Sequence, residues 1–295
     1  MTQRDGGREQ AAGIAGALVL LLLLLLLVPH MPIAIETFRL TKTFGDLTAV
    51  DALTLSIEAG SIFGLLGSNG AGKSTTIKML VTLLPVTSGR ATVAGYDVAR
   101  QPRLVRAHIG YVPQMLSADA ALTARENLDL SGALYGLPTA LRRRRIDDAL
   151  TLMELGEVAT KPVRQFSGGM VRRLEIAQAM LHRPNVLFLD EPTVGLDPGA
   201  RRTVWDRLRQ LRTELETTIL MTTHDMEEAE TLCERVAIMH RGHVVADGPP
   251  AALAAALGPT ATLEDVFIKH TGGSVGEGGH YRDVATTRRT AHRLG

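Results

Sequence analysis

The apolar run at 62–66 leads directly into Gly67-Ser68-Asn69-Gly70-Ala71-Gly72-Lys73-Ser74-Thr75, and no other stretch constrains the fold of the chain so tightly. The spacing is G-x-x-x-x-G-K-[ST], with Gly67, Gly72, Lys73 and Ser74 at the four fixed places. Gly67, Gly70 and Gly72 let the backbone wrap closely, so that the N–H groups of Ser68, Asn69, Ala71 and their neighbours point inward at phosphate oxygens. The helix that should open here adds its positive end. Lys73 is then placed for the outer phosphates, and the Ser74 hydroxyl, beside Thr75, for Mg²⁺. A dinucleotide fingerprint fails, because Thr75 stands where a third glycine would be needed.

A loop of this kind demands a parallel sheet, and the apolar periodicity supplies one. Strands are predicted at 33–40, 53–57, 62–66, 90–94, 109–112, 186–189, 218–221, 236–239 and 243–246. Helices are predicted at 72–84, ended by Pro85, and at 200–215 and 226–233, with a helical stretch from 123 to about 180 broken at Gly136-Leu137-Pro138 and near Pro162. Turn signals fall at Phe44-Gly45-Asp46 and Glu58-Ala59-Gly60. Short apolar strands alternating with helices imply an α/β fold with a mostly parallel sheet covered on both faces. The helical middle, about 115–180, looks like an insertion into that core.

Two further segments carry chemistry. Val186-Leu187-Phe188-Leu189 ends in Asp190 and Glu191, and ligands of open α/β sheets sit at the carboxyl ends of the strands. Asp190 is placed to hold Mg²⁺ through water, and Glu191 to polarise the attacking water as general base. The strand at 218–221 leads similarly to His224, whose ring could reach the last phosphate.

Composition narrows the partners. Lys plus Arg number 32 against 31 Asp plus Glu, a net charge of +1, which argues against nucleic acid. Hydrophobic residues make up 45% and charged residues 21%, enough for a sizeable core. Cys233 is the single cysteine, so no intrachain disulfide forms. Residues 1–30 differ from the rest: 11–28 is apolar throughout and includes eight consecutive leucines, 20–27. A membrane anchor and a signal-peptide core are two readings; the favoured one starts translation at Met31, which opens directly into the first strand. Residues 272–295 turn Gly-, Thr- and Arg-rich and are expected to form a mobile tail.

Phe166-Ser167-Gly168-Gly169-Met170 resembles the signature Leu-Ser-Gly-Gly-Gln of ABC transporter ATP-binding subunits, and further segments match that family in order. Gln114 in Tyr111-Val112-Pro113-Gln114 resembles its Q-loop glutamine, Gly195-Leu196-Asp197 its D-loop, and Thr223-His224-Asp225 its switch histidine. Phe44 stands where the family stacks an aromatic ring on adenine. The resemblance runs from about 33 to 273. It implies a P-loop NTPase core of the ABC ATPase type, with an N-terminal antiparallel β subdomain and an inserted α-helical subdomain, the domain spanning 33–271.

The resemblance also implies a function. ATP would be hydrolysed with Mg²⁺ held by Ser74, Gln114 and Asp190, and with Glu191, His224 and Gln114 as the catalytic set. Two ATPase subunits, identical or not, would clamp nucleotide head to tail, the Ser167-Gly168-Gly169 helix tip and Asp197 of one meeting the glycine loop of the other. A separate transmembrane permease would carry the cargo, with the ATPase at the cytoplasmic face of the plasma membrane, peripheral through that permease; anchoring by the leucine run is the alternative. Phe166 and Met170 replace the usual Leu and Gln. Together with Val171-Arg172-Arg173-Leu174-Glu175-Ile176-Ala177 and Leu263-Glu264-Asp265-Val266-Phe267-Ile268, they resemble the branch of antibiotic and multidrug exporters. A soluble ABC ATPase acting on ribosomes or DNA is the rival reading, disfavoured by the single cassette and balanced charge.

Three features receive ordinary readings. The run Arg142-Arg143-Arg144-Arg145 precedes Asp147 and Asp148 at helical spacing, which predicts surface charge pairs. Trp205 shares an apolar face with Leu208 and Leu211 and is expected in the core. Cys233 is expected to be a buried small hydrophobe.

Overall fold

The computed structural model describes residues 33–272, so the leucine run and the tail at 273–295 lie outside the described residues. The described part opens with a hairpin, β1 (Ile33–Phe44) and β2 (Leu47–Glu58), joined at Gly45 with φ 55°. Both strands are longer than predicted. Arg39 and Ala52 have left-handed backbones (φ 47° each), and the register slips between Thr37 and Leu40. Such irregularities interrupt the two-residue alternation, which is why a period-based reading stops at 40 and resumes at 53. β4 (Ser88–Val93) pairs with β1, and β5 (Tyr96–Asp97) with β4, giving an antiparallel sheet in the order β2-β1-β4-β5.

The second sheet has the order β10-β9-β3-β8-β7-β6. It contains β3 (Ile62–Leu66), β6 (Ile109–Val112), β7 (Val186–Asp190), β8 (Thr218–Thr223) and β9 (Arg235–His240), all parallel, with β10 (His243–Gly248) antiparallel on one edge. Its central strands are buried on both faces, and their side chains part by strict alternation. Leu187, Leu189, Ile219 and Met221 join one apolar cluster, packed with Leu174, Trp205 and Leu208. Phe188, Leu220, Phe63 and Leu65 join another, with Ile77 and Leu80 and with Ile35 and Leu53 of the antiparallel sheet. Continuous apolar runs rather than alternating ones follow from this two-sided burial.

Helix α1 (Lys73–Leu80) ends four residues before the predicted end at 84. Thr82 takes φ 65°, and the N–H groups of Leu83 and Leu84 both turn back to the Lys78 carbonyl, closing the helix before Pro85 is reached. The short α2 (Pro102–His108) has too little apolar periodicity to be read from sequence. The middle of the chain holds α3 (Ala124–Leu134), opened by a Thr123–Glu126 capping box, α4 (Thr139–Leu152) and α5 (Gly168–Met180). Then follow α6 (Pro198–Leu215), α7 (Met226–Leu232), α8 (Pro250–Ala255) and α9 (Leu263–Thr271). Among the described residues no helix is long and apolar enough to cross a membrane.

The arginine run pairs differently from its spacing. Only Arg144 meets its i+4 partner, Asp148, at 4.0 Å. Asp147 is taken by Arg125 of α3, Arg142 by Asp129, and Arg145 donates to the Leu181 carbonyl, so two of the four arginines tie α4 to neighbouring segments.

Candidate functional site

Strand order brings the site together. β3, β8, β7 and β6 are consecutive neighbours and parallel, so the segments leaving their carboxyl ends emerge side by side. Leu66 pairs with Thr223, Thr222 with Asp190, and Leu189 with Val112. Gly67, His224, Glu191 and Gln114 therefore start from one rim, although the chain separates them widely.

Local sequence sets each group. Gly67 must lack a side chain, since a Cβ there would sit 2.6 Å from the Met239 carbonyl. Gly72 has φ 107°, and a Cβ there would sit 2.6 Å from the Ala49 carbonyl, so it turns the loop into α1 where an L side chain would be strained. Lys73 follows, 5% exposed, its ammonium donating to the carbonyls of Gly67 (2.7 Å) and Ser68 (3.2 Å) and lying 3.5 Å from Glu191 Oε1. The Ser74 hydroxyl donates to Asp190 Oδ1 at 2.9 Å.

Glu191 has a left-handed backbone, φ 49°, which turns its carboxylate away from that of Asp190. The two acids consequently meet different partners. Asp190 faces Ser74 and Thr222, whose hydroxyl donates to Asp190 Oδ1 at 2.7 Å. Glu191 receives the Gln114 amide at 3.0 Å on Oε2, and the His224 ring Nδ1 lies 3.2 Å from Oε1.

This geometry sets the charges. The His224 bond chiefly holds the Glu191 carboxyl below its ordinary 4.5, opposed by burial and helped by Lys73. The same bond raises His224 above its ordinary 6.5. Burial lowers Lys73 from 10.5, with Glu191 and Asp190 offsetting part of the loss. A raised histidine contributes stability that is complete below 6.5 and lost as pH rises through its folded value. A lowered carboxyl contributes stability that is complete above 4.5 and lost as pH falls through its folded value. The pair is therefore strongest between those two ordinary values. An NMR titration should find His224 protonating above 6.5 in the parent and returning toward it in Glu191→Gln; an unchanged midpoint would break the assigned pairing.

Not every predicted residue joins this cluster. Phe44 lies at the end of β1, 46% exposed, with the Lys42 ammonium 4.9 Å from its ring centroid. The Ser167 hydroxyl caps α5 by accepting from Met170 N at 3.3 Å. Gly168 and Gly169 lie against Leu196 and Ala200, and Asp197 caps α6 by accepting from Ala200 N. These residues form a second surface of paired helix ends.

Sequence reasoning missed Thr222, which bridges Asp190 and the Glu191 N–H. It also missed Glu228, whose buried carboxylate accepts from Thr193 (2.6 Å) and from the Trp205 indole (3.0 Å). Trp205 is thus in the core as expected, but with a polar duty. A threonine inside an apolar strand, directly beside the carboxylate strand, was the one available signal.

A glycine cradle opening a helix at the carboxyl rim of a parallel sheet, beside two divergent carboxylates, defines a P-loop nucleoside-triphosphatase. The ABC transporter family model matches residues 50–194. The chain is 46% identical over 221 residues to Nod factor export ATP-binding protein I of Sinorhizobium fredii, covering 75% of this chain and 64%, just under two thirds, of that one. It is 44% identical over 225 residues to daunorubicin/doxorubicin resistance ATP-binding protein DrrA of Streptomyces peucetius, covering 76% of this chain and 68% of that one. Among solved structures, an ATP-binding cassette described as a dimer in a post-hydrolysis state with ADP and Pi aligns at TM-score 0.66 and 26% identity, over 73% of this chain and 98% of that one. The chain belongs to the ATP-binding proteins of the ABC transporter family.

Proposed function

We propose that the chain is the ATP-hydrolysing subunit of an exporter, peripheral at the cytoplasmic face of the plasma membrane and driving a separate transmembrane permease for a drug-like or hydrophobic compound. The observation that carries the catalytic part is the convergence of Lys73, Gln114 and His224 on Glu191. Export is supported by the names of the two relatives, one a Nod factor exporter subunit and one a drug-resistance protein.

Lys73 and the loop N–H groups from Gly67 to Thr75 hold the phosphates, and Phe44 offers its exposed ring to the adenine. Glu191 takes a proton from the attacking water; its carboxyl, held below its ordinary value, is in the ionised form that can accept one. His224 and Gln114 orient that carboxylate from either side. Ser74 and Asp190 suit Mg²⁺, which takes few protein ligands and completes its shell with phosphate oxygens and water. Gln114 would join them in holding it, and a bound Mg²⁺ would supply neutralisation of phosphate charge.

The site is completed by a second subunit, identical or homologous. Ser167, Gly168 and Gly169 open α5 with a hydroxyl and backbone N–H groups, an anion site that the chain's own glycine loop does not use. Asp197, at the neighbouring helix end, lies at the same junction. Hydrolysis per molecule should therefore rise with protein concentration, and Ser167→Ala should lower turnover at least about tenfold. The same change removes a helix cap, for about 1 kcal/mol of stability. A rate per molecule that stays flat on dilution, with Ser167 dispensable, would sink the two-subunit site.

A further inference from the structure

Helix α5 carries two charged side chains that the chemistry above does not use. Arg172 and Glu175 are one turn apart, 3% and 2% exposed at their side chains, and 3.1 Å from each other as an ion pair. Both reach out of the helix to one loop. The Arg172 guanidinium donates to the Pro113 carbonyl (2.8 Å) and the Gln114 carbonyl (2.9 Å). Glu175 Oε1 accepts from the N–H and hydroxyl of Ser117 and from Ala118 N. The loop is held at both ends, while Met115 and Leu116 between the holds are 82% and 57% exposed.

A buried ion pair is poor value as a stabiliser, because desolvating two charges offsets most of their attraction and an apolar pair of the same volume would serve as well. Its use lies in geometry. The planar fork of an arginine can grip two successive carbonyls and so fix the orientation of the peptide plane between them. That peptide joins Pro113 to Gln114, whose side chain extends to Glu191.

We propose that Arg172 and Glu175 are positioning residues that clamp the 113–118 loop to α5, so that Gln114 reaches Glu191 only when the Ser167 end of the same helix is in register. The inference rests on the reading of Gln114 given above. It links the two surfaces of the site through one rigid helix: Ser167 at its tip, the clamp a turn and a half along, Gln114 beyond the clamp.

A double-mutant cycle on the full chain tests it, with kcat and the KM for ATP as readouts. Arg172→Lys keeps the charge opposite Glu175 but cannot span two carbonyls. It should lower kcat about tenfold with KM changed less than about twofold. In a Gln114→Ala background the same substitution should cost less than about twofold, because the group it positions is gone. An equal loss in both backgrounds would mean a merely structural role and overturn the clamp. A Gln114→Ala protein as fast as the parent would overturn the reading of Gln114, and this inference with it. If Arg172→Lys fails to fold, Glu175→Gln replaces it: the amide oxygen still accepts from the loop, but its neutral group no longer holds the guanidinium, and the same non-additivity is required.

Discussion

Glu191→Gln should bind ATP as tightly as the parent and hydrolyse it about a thousandfold more slowly, the loss typical of a removed general base. The amide keeps the shape of the carboxylate but has a single oxygen, so only one of Gln114 and His224 keeps an acceptor to meet. What disappears is the proton acceptor, together with a negative charge that lies 3.5 Å from the Lys73 ammonium. Removing that charge lessens repulsion of the incoming phosphates, so affinity should hold or rise. With ATP bound and not turned over, the two-subunit form should accumulate. Phosphate release gives the rate, nucleotide titration the affinity, and size-exclusion with ATP the assembly. A parent-like rate would remove Glu191 from the chemistry.

Lys73→Ala should do the opposite, weakening ATP binding itself by about a hundredfold, equivalent to ~2.7 kcal/mol. The ammonium is enclosed by the Gly67 and Ser68 carbonyls and by Glu191. Burial has already stripped much of its water, so the protein has covered its desolvation before nucleotide arrives, and its charge is less screened toward a phosphate than in water. Alanine leaves two carbonyls without their donor and a buried carboxylate without its cation. Isothermal titration decides the matter: an affinity within about threefold of the parent would end the phosphate-cradle reading. The two variants separate binding from chemistry, since one should keep nucleotide and the other lose it.

The parts of the site that are local in sequence were the legible ones. The loop 67–75 needs its glycines where the backbone closes on Met239 and Ala49, and those needs leave a spacing that can be read without a structure. Asp190 was legible because a short apolar strand ends in it. The assembly was not, because nothing in residues 109–112 states that β6 lies beside β7, which alone brings Gln114 to Glu191. Thr222 was missed for the same reason: its role exists only through its pairing with Asp190. The irregular hairpin β1–β2 and the early end of α1 were misread at residues 39, 52 and 82, where left-handed backbone breaks the period.

The contact between α5 and α6 carries a mechanical consequence. A Cβ on Gly169 would lie 2.7 Å from that of Ala200, and one on Gly168 3.3 Å from the Leu196 side chain, so the two helix ends pack closely with only the Ala200 methyl and Leu196 between them. Their caps, Ser167 and Asp197, are thus the twin teeth of a single blade. A push on either helix is felt at both teeth, so in the proposed two-subunit site the mating subunit would be gripped or released by the two together.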